Sequence, residues 1–418
     1  VPIIRSQSPS SSESASVEDG AHSEKKSSTK SKKEPPKSRV LDGNWLSAYG
    51  EYTTESESPD AYHLWTGLSI LASATRRNLW LNQGIYLLFP NLYVILVGPP
   101  GVAKSTTIRM GRNILLGADD VVFGPDSITR EELIRVMAKS GEKDKQSAIT
   151  IHSSELSSLI EPSGVKMIQF LTDIFDGDFK WRYATKGSGR DTINNPILNI
   201  LAGTTPMWIA DGLPSTVIGH GFTSRIIFVW GDKPRYLKPF PAEPNPKLVK
   251  ALQNDIDYIS RVEGEFEWGP GSRDLYSDIY TTLANSPPKD FRVEGFHARK
   301  KIHLLKVAML LSIAEDDDLT LTQRDLETAH KILNSLEADM HKTFSAVGKY
   351  EHASDLERVE NRIFEEGGMT PEQIHSEFYA VGDVQEIAKI LLMLVSMGRI
   401  QKVKGGDGKP IYIPVQGS

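Results

Sequence analysis

Eight consecutive residues, Gly98-Pro99-Pro100-Gly101-Val102-Ala103-Lys104-Ser105, follow directly on the apolar run Leu92 to Val97. The chemistry they suit is the capture of a polyphosphate. A Gly/Pro turn between a buried strand and a helix points backbone N–H groups inward, and the positive end of the helix adds to their pull on an anion. A Lys at the helix start reaches the β and γ phosphates, and the hydroxyl beside it binds Mg²⁺. Gly98, Pro99, Pro100, Gly101, Val102, Ala103, Lys104, Ser105 and Thr106 are therefore the expected nucleotide contacts, with ATP and Mg²⁺ as cofactors. Ala103 stands where such loops usually carry Gly. It lacks glycine's freedom at positive φ but adds only a methyl group, so the loop is expected to close. The competing reading is a Gly/Pro turn ahead of an ordinary helix.

Ala148 to His152 reads as a second buried strand, with Ser154-Glu155 just past its end. Many ATPases with an additional sheet strand carry Asp-Glu here, where the Asp supports Mg²⁺ and the Glu polarises the attacking water. Glu155 suits the catalytic carboxylate, and a helix-capping Glu is the alternative. Ser154 is a weaker, neutral stand-in for the Asp. Ser105, Ser154 and Glu155 are the expected metal contacts. A third apolar run, 197–203, ends in Gly203-Thr204-Thr205-Pro206. A polar residue at that tip senses the γ-phosphate, and Thr204 or Thr205 offers the hydroxyl. Arg225 precedes the run Ile226 to Trp230 and is the candidate arginine finger for a neighbouring subunit, against a surface salt bridge. Lys104, Glu155, Thr204 and Arg225 form the expected catalytic set.

Between these strands, Phe179, Trp181 and Tyr183 alternate with Lys180 and Arg182, the two-residue period of a strand. A Gly-rich tip from Lys186 to Arg190 turns the chain back. Lys180, Arg182, Lys186 and Arg190 are expected to follow a phosphate backbone, which needs charge and no base contacts. A merely solvated hairpin is the alternative.

The elements that must position these groups alternate regularly. Strands at 92–97, 120–123, 148–152, 197–203 and 225–230 are separated by helical patterns at 104–116, 129–139 and within 154–175. This predicts an α/β fold with a mostly parallel sheet and helices on both faces. Ahead of it, residues 41–90 form an amino-terminal helical layer. Ser58-Pro59-Asp60 reads as a helix start with Ser as cap, and two short strands are expected at 78–82 and 85–89. Residues 91–240 make the ATPase core. Pro-rich Lys238 to Pro246 leads into a helical region, 241–350, with Ile302, Leu305, Met309 and Ile313 on one face. Residues 351–418 read as three helices and a β-hairpin, a winged-helix module suited to DNA or to a protein partner. Residues 1–40 are Ser-, Lys- and Glu-rich, and are expected to be a disordered linker. The chain opens on Val, so an upstream segment is expected.

The order of these parts resembles AAA+ ATPases, and among them hexameric helicases, over about residues 60–345. Gly-Pro-Pro-Gly-Val-Ala-Lys-Ser, the Ala included, is similar to the phosphate loop of minichromosome-maintenance helicases. Those proteins place a hairpin before the sensor strand and a Ser-Arg after it, matching Lys186 to Arg190 and Ser224-Arg225. Ala298-Arg299-Lys300-Lys301 is similar to the start of their lid helix, which makes Arg299 a second sensor of the nucleotide. The layout is closest to helicases and primase-helicases of phages and mobile elements. The resemblance implies an AAA+ additional-strand core with a helical lid, a homo-hexameric ring, single-stranded or forked DNA as partner, and an upstream primase domain or replication partner. Lys104, Glu155 and Thr204 would act in one subunit, and Arg225 and Arg299 from its neighbour. Ser154 for Asp and Thr for the usual sensor Asn are departures that bear on the hydrolysis rate.

Composition bounds the alternatives. With 418 residues, 39% hydrophobic, and a mean hydropathy of −0.31, the chain supports two or three cores in water. No apolar run approaches the ~20 residues of a membrane span. The absence of cysteine removes disulfides, thiolate zinc sites and cysteine nucleophiles, and with no signal segment it suits the cytoplasm. A net charge of −6 gives no global pull on nucleic acid, so DNA contact needs a local basic surface. The expected function is an ATP-dependent replicative DNA helicase. The alternative is an initiator or loader switch that binds ATP and DNA, or a partner helicase, without processive unwinding. A protein remodeller lacks its aromatic pore loop here, and a nucleotide kinase leaves the carboxy-terminal module unexplained.

Overall fold

Helices α1 (Trp45–Tyr52) and α2 (Asp60–Thr75) come first, then strands β1 (Leu79–Asn82) and β2 (Leu87–Leu88). Strand β3 (Tyr93–Val97) and helix α3 (Lys104–Leu115) flank the Gly/Pro loop at 98–103, the expected phosphate loop. Next are α4 (Arg130–Asp144), β4 (Ser147–Ser153), α5 (Ser157–Ile160) and α6 (Val165–Ile174). A hairpin of β5 (Lys180–Thr185) and β6 (Gly189–Asn194) leads to β7 (Pro196–Thr204), α7 (Pro206–Gly212) and β8 (Ile226–Trp230). Then follow α8 (Pro246–Ile259), β9 (Gly264–Trp268), α9 (Ser272–Ala284), α10 (Phe291–Glu315), β10 (Thr320–Leu321) and α11 (Gln323–Thr343). The last elements are α12 (Ala353–Glu366), α13 (Pro371–Glu377), α14 (Val384–Ser396), β11 (Ile400–Lys404) and β12 (Pro410–Pro414). The computed structural model describes residues 38–185, 189–214, 217, 221–288, 290–344, 353–378, 384–396, 398–405 and 408–415. The expected linker, residues 1–40, therefore lies almost wholly outside the described residues.

Strands β3, β4 and β7 are buried at every position, and β8 at all but its last. Such runs need cover on both faces, which is what a parallel sheet between helices provides. The four strands are parallel, in the order β4-β7-β3-β8, so β7 is inserted between the phosphate-loop strand and β4. The protein is thus α/β, with a parallel-strand sheet and helices as expected. Two buried amides fix the start of β3. Asn91 Nδ2 donates to Phe175 O at 2.9 Å, and Asn199 Oδ1 accepts from Leu92 N at 2.9 Å. Thr129 caps α4 by accepting from Glu132 N, with Glu131 and Glu132 in the first turn, where the helix dipole favours acids.

Three local expectations are corrected. The strand expected at 120–123 shrinks to one bridge, Phe123 to Thr150, flanked by Gly124 N–Thr150 O at 2.8 Å and Thr150 N–Val122 O at 2.9 Å. Only three apolar residues lie between Asp119-Asp120 and Gly124-Pro125, too few for a ladder. Ser58 does not cap α2: the N-cap is Pro59, and the Ser58 hydroxyl donates instead to Ala103 O at 3.1 Å. Lastly, the region after 240 is not all helical. Strand β9 buries Phe266 between exposed Glu265 and Glu267, a strand period within helical surroundings. It pairs in parallel with β1 and β10, and β1 pairs antiparallel with β2. The amino-terminal layer and the region after 240 therefore share one sheet.

Helices α12 to α14 and the hairpin β11–β12 enclose a separate core that includes Val359, Ile363, Ile374, Ile390, Leu394 and Ile400. Met369 bridges to Tyr412 and ties the link between α12 and α13 to the hairpin. Among the described residues, no helix is long and apolar enough to cross a membrane.

Three histidines are buried in these layers. Desolvation lowers His152 in β4 and His303 in α10 to about 3, and His63 in α2 to about 4, from 6.5. Each folded value lies below the unfolded one, so between pH 6.5 and about 4 the unfolded chain binds protons that the folded chain refuses. Stability from these groups is full above pH 6.5 and is lost as pH falls, at about 1.4 kcal/mol per pH unit for each. His152 has no hydrogen-bond partner on either ring nitrogen and meets Phe123 edge-on. Urea unfolding at pH 7 and pH 5 is expected to show an acid loss that His152→Leu reduces by about 2 kcal/mol. An equal loss in the variant refutes the assignment.

Candidate active site

The phosphate loop starts where β3, β8 and α2 converge on Gly98. A Cβ there would lie 2.0 Å from Gly231 O and 2.6 Å from the Tyr62 hydroxyl, so no other residue fits. Tyr62 Oη donates to Val97 O at 2.7 Å, and Gly231 N donates to the same oxygen at 2.9 Å. Val102 is buried and anchors the loop, while Pro100, Gly101 and Ser105 are exposed and Thr106 is half-buried. Ala103 adopts φ +56°, ψ +30°, the left-handed region where an L side chain crowds the backbone. Its carbonyl accepts from Ser58 Oγ at 3.1 Å, Thr107 N at 3.1 Å and Thr107 Oγ1 at 3.2 Å, which holds the turn against that strain. Lys104 opens α3, is buried, and donates from Nζ to Gly98 O at 2.7 Å and Pro99 O at 2.9 Å. Burial pulls its ammonium below the usual lysine range, and Glu155 partly opposes that shift.

The parallel register brings the ends of β4 and β7 to this loop. Gly98 N donates to Thr204 O at 3.4 Å, and Leu156 N donates to Gly203 O at 2.7 Å. A Cβ at Gly203 would strike Ser154 O at 2.7 Å and sit 3.5 Å from Lys104 Cβ. Ser154 and Glu155 are exposed there, and Ser153 Oγ fixes their turn by donating to Glu155 O at 2.8 Å. The two threonines differ. Thr205 spends its hydroxyl capping α7, accepting from Trp208 N at 3.2 Å. The Thr204 hydroxyl is buried and has no partner. Ser105, Ser154 and Glu155 offer hard oxygens with a single carboxylate, which fits Mg²⁺ held chiefly by phosphate oxygens. Among the described residues no cluster of three or more His, Cys, Asp or Glu forms a metal cage.

Arg225 and Arg299 lie elsewhere. Tyr93 pairs with Ile226 and Val97 with Trp230, so Arg225 adjoins the start of β3 while the loop follows its end. Four residue steps of about 3.3 Å separate those levels by about 13 Å. Arg299, on α10, meets Arg225 at one carboxylate. Arg225 Nη2 donates to Asp176 at 2.7 Å, and Arg299 donates to it from Nη1 at 2.8 Å and from Nη2 at 3.3 Å. The salt bridge weighed for Arg225 is thus present. Burial alone would push the Asp176 carboxyl up, but Arg299 and then Arg225 hold it below the usual carboxylate range. Nothing in the sequence pattern marked Asp176. Its arginines lie 49 and 123 residues away, and the only local signal is the Asp-Gly turn after α6.

In the hairpin, alternation sorts the side chains as expected from Lys180 onward, but Phe179, expected on the apolar face, lies just before β5 and is 70% exposed. Trp181 stacks on Tyr183 at 6.0 Å and meets Phe170 edge-on at 5.0 Å, while Arg130 Nη2 donates to the Tyr183 hydroxyl at 2.6 Å. Lys180 and Arg182 are exposed and form no ion pair among the described residues. Lys186 lies outside the described residues, and Arg190 is placed only through its backbone, opposite Ala184.

Ala103→Gly removes the left-handed strain, at some cost in unfolded-chain entropy. Denaturant unfolding is expected to show a net gain of up to about 1 kcal/mol. A clear loss would mean that the methyl group packs favourably and that strain is not the governing effect.

Compared with protein-family models the chain matches none, and it matches no curated protein.

Proposed function

We propose that the chain is an ATP-driven DNA helicase with an AAA+ core, working as a homo-hexameric ring on single-stranded or forked DNA. The observation that carries this reading is the separation of Lys104 and Arg225 to opposite ends of one sheet. An arginine that far from its own loop is out of reach of a nucleotide bound there, and a closed ring supplies every loop with a neighbour whose arginine could reach it. In one subunit, loop N–H groups and Lys104 bind the phosphates, Glu155 polarises the attacking water, and the Thr204 hydroxyl donates to the γ-phosphate. Ser105, Ser154 and Glu155 would hold Mg²⁺ from the protein side, and the ion would supply neutralisation of phosphate charge.

DNA contact is assigned to the hairpin, where Lys180 and Arg182 are exposed on one face and form no ion pair among the described residues. The carboxy-terminal module, which we read as a winged helix, is a poorer base reader. Its α14 exposes Leu392 and Met393, 67% and 42% accessible, where a groove-reading helix carries polar donors. Helices α9 to α11 make the lid. A cytoplasmic setting and an upstream primase or replication partner belong to the same proposal. A second reading, an ATP-dependent loader switch without processive unwinding, is favoured by Ser154, which brings no charge to the metal.

The test is ATP turnover with and without single-stranded DNA, beside strand separation on a forked duplex. Wild type is expected to be DNA-stimulated and to unwind, and Lys104→Ala to lose at least about 100-fold in kcat. Lys180→Ala with Arg182→Ala is expected to keep basal turnover, weaken DNA binding, and lower the slope of log affinity against log salt by about 1.4. ATP binding without stimulation or unwinding selects the switch. An unchanged salt slope removes the hairpin from the DNA path.

A further inference from the structure

We infer that Asp176 is a positioning residue that makes Arg225 and Arg299 act as one unit on a neighbouring subunit's nucleotide. The inference rests on hydrolysis being shared between copies of the chain. Its ground is the meeting of two arginines from distant elements on one carboxylate, with no second acid paired to either among the described residues.

Three cations crowd this corner. Arg225, Arg299 and Lys306 stand 6.0, 5.8 and 4.4 Å from the centre of the Phe175 ring. Like charges this close repel, and each guanidinium would otherwise swing towards solvent. Asp176 offsets the repulsion and fixes both forks by hydrogen bonds. Arg299 is held bidentately and Arg225 through one terminal nitrogen, while Arg225 Nη1 also donates to Gly221 O at 2.6 Å. The backbone beneath is rigid. His303 Nε2 meets Ser224 O at 2.9 Å and so ties α10, which carries Arg299, to the turn that carries Arg225. Each terminal guanidinium nitrogen bears two N–H groups, so pairing with Asp176 leaves donors for a phosphate. Access exists as well. Asp176 and Arg299 line a cleft of about 510 Å³, and the side chains of Arg225, Arg299 and Asp176 are 13%, 25% and 47% accessible. Arginines pre-set by a fixed carboxylate reach a transition state without first paying to be ordered, and a displacement near 1 Å removes about 100-fold in rate.

The experiment mixes subunits of the full chain. Lys104→Ala subunits lack a working loop but keep the arginine pair, and Arg225→Ala subunits keep the loop but lack the finger. Each alone is expected to be nearly inactive, and their mixture to recover hydrolysis. Lys104→Ala, Asp176→Asn subunits are then mixed with Arg225→Ala subunits, and recovery is expected to fall about 100-fold. In the single variant Asp176→Asn, kcat is expected to fall with the KM for ATP unchanged, because the loop is intact. Asp176→Glu is expected to restore part of the rate, and thermal unfolding to show both variants fully folded at the assay temperature, with Asp176→Asn slightly below wild type because the charge among the cations is lost. Adding Arg299→Ala to Asp176→Asn is expected to cost little more, as for groups that act as a unit. If the first mixture recovers nothing, the shared-site reading fails. If both mixtures recover equally, or if KM rises while kcat holds, the shared site stands and the role given to Asp176 is overturned.

Discussion

Parallel pairing of β3 with β7 on one side and β8 on the other gives the sheet two chemically different ends. Val97 pairs with Thr204 and with Trp230, so the phosphate loop, the Thr204 tip and the turn after β8 arrive together. Ser153 pairs with Ala202, which delivers Ser154 and Glu155 to the same edge. At the other end Tyr93 pairs with Ile226, and Arg225 is left beside the strand starts. No side-chain adjustment can move a group from one end to the other, because the two ends of β3 lie about 13 Å apart along the strand, farther than a side chain reaches. What each catalytic candidate can reach is therefore decided by register before any side chain is considered.

Legibility in the sequence followed how local each signal is. The loop, Lys104 and the buried runs of β3, β7 and β8 were readable because strand, turn and helix are adjacent in the chain. Thr204 and Thr205 looked equivalent until α7 was seen to claim Thr205 as its cap. Ser58 looked like a cap because Ser-Pro-Asp usually opens a helix, but the carbonyl of Ala103 lies within its reach and takes its hydrogen bond. Strand β9 was hidden because its partners, β1 and β10, lie far away in sequence or span only two residues. Asp176 was hidden for the same reason: ion pairs across 49 and 123 residues leave no spacing to read.

Two polar clusters sit at the two ends and solve opposite problems. At the loop, a buried Lys104 has loop carbonyls as its hydrogen-bond acceptors, and desolvation lowers its proton affinity. A phosphate arriving there replaces weak neutral acceptors with a charged one, so the exchange is favourable. At the far end Lys306 is buried more deeply, donates to Asn91 O and Oδ1, and is pulled down to about 7 by burial. Asp176 pushes that value up, while Arg299 and Arg225 push it down. At that end burial is the main cause of the shift, and Asp176 opposes both burial and the two arginines.

The turn that carries Asp176 also roots the hairpin, since β5 begins four residues later at Lys180. Gly177 sits between them at φ +72°, and a Cβ there would approach Phe89 at 3.3 Å, so the turn is both left-handed and closely packed. Arg77 locks it from beneath, donating from Nη1 to Gly177 O at 2.6 Å and to Pro196 O at 3.2 Å, with its guanidinium 4.0 Å from the centre of the Phe89 ring. Pro196 opens β7, the strand whose far tip is Thr204. The Asp176 turn, the hairpin root and the start of β7 are therefore held in one frame by a single half-buried guanidinium. Displacing any of the three must break a charge-assisted hydrogen bond in a desolvated setting, where such bonds are strongest. A link between the Asp176 arginine pair and the cationic hairpin is thus built into the backbone on which both are mounted.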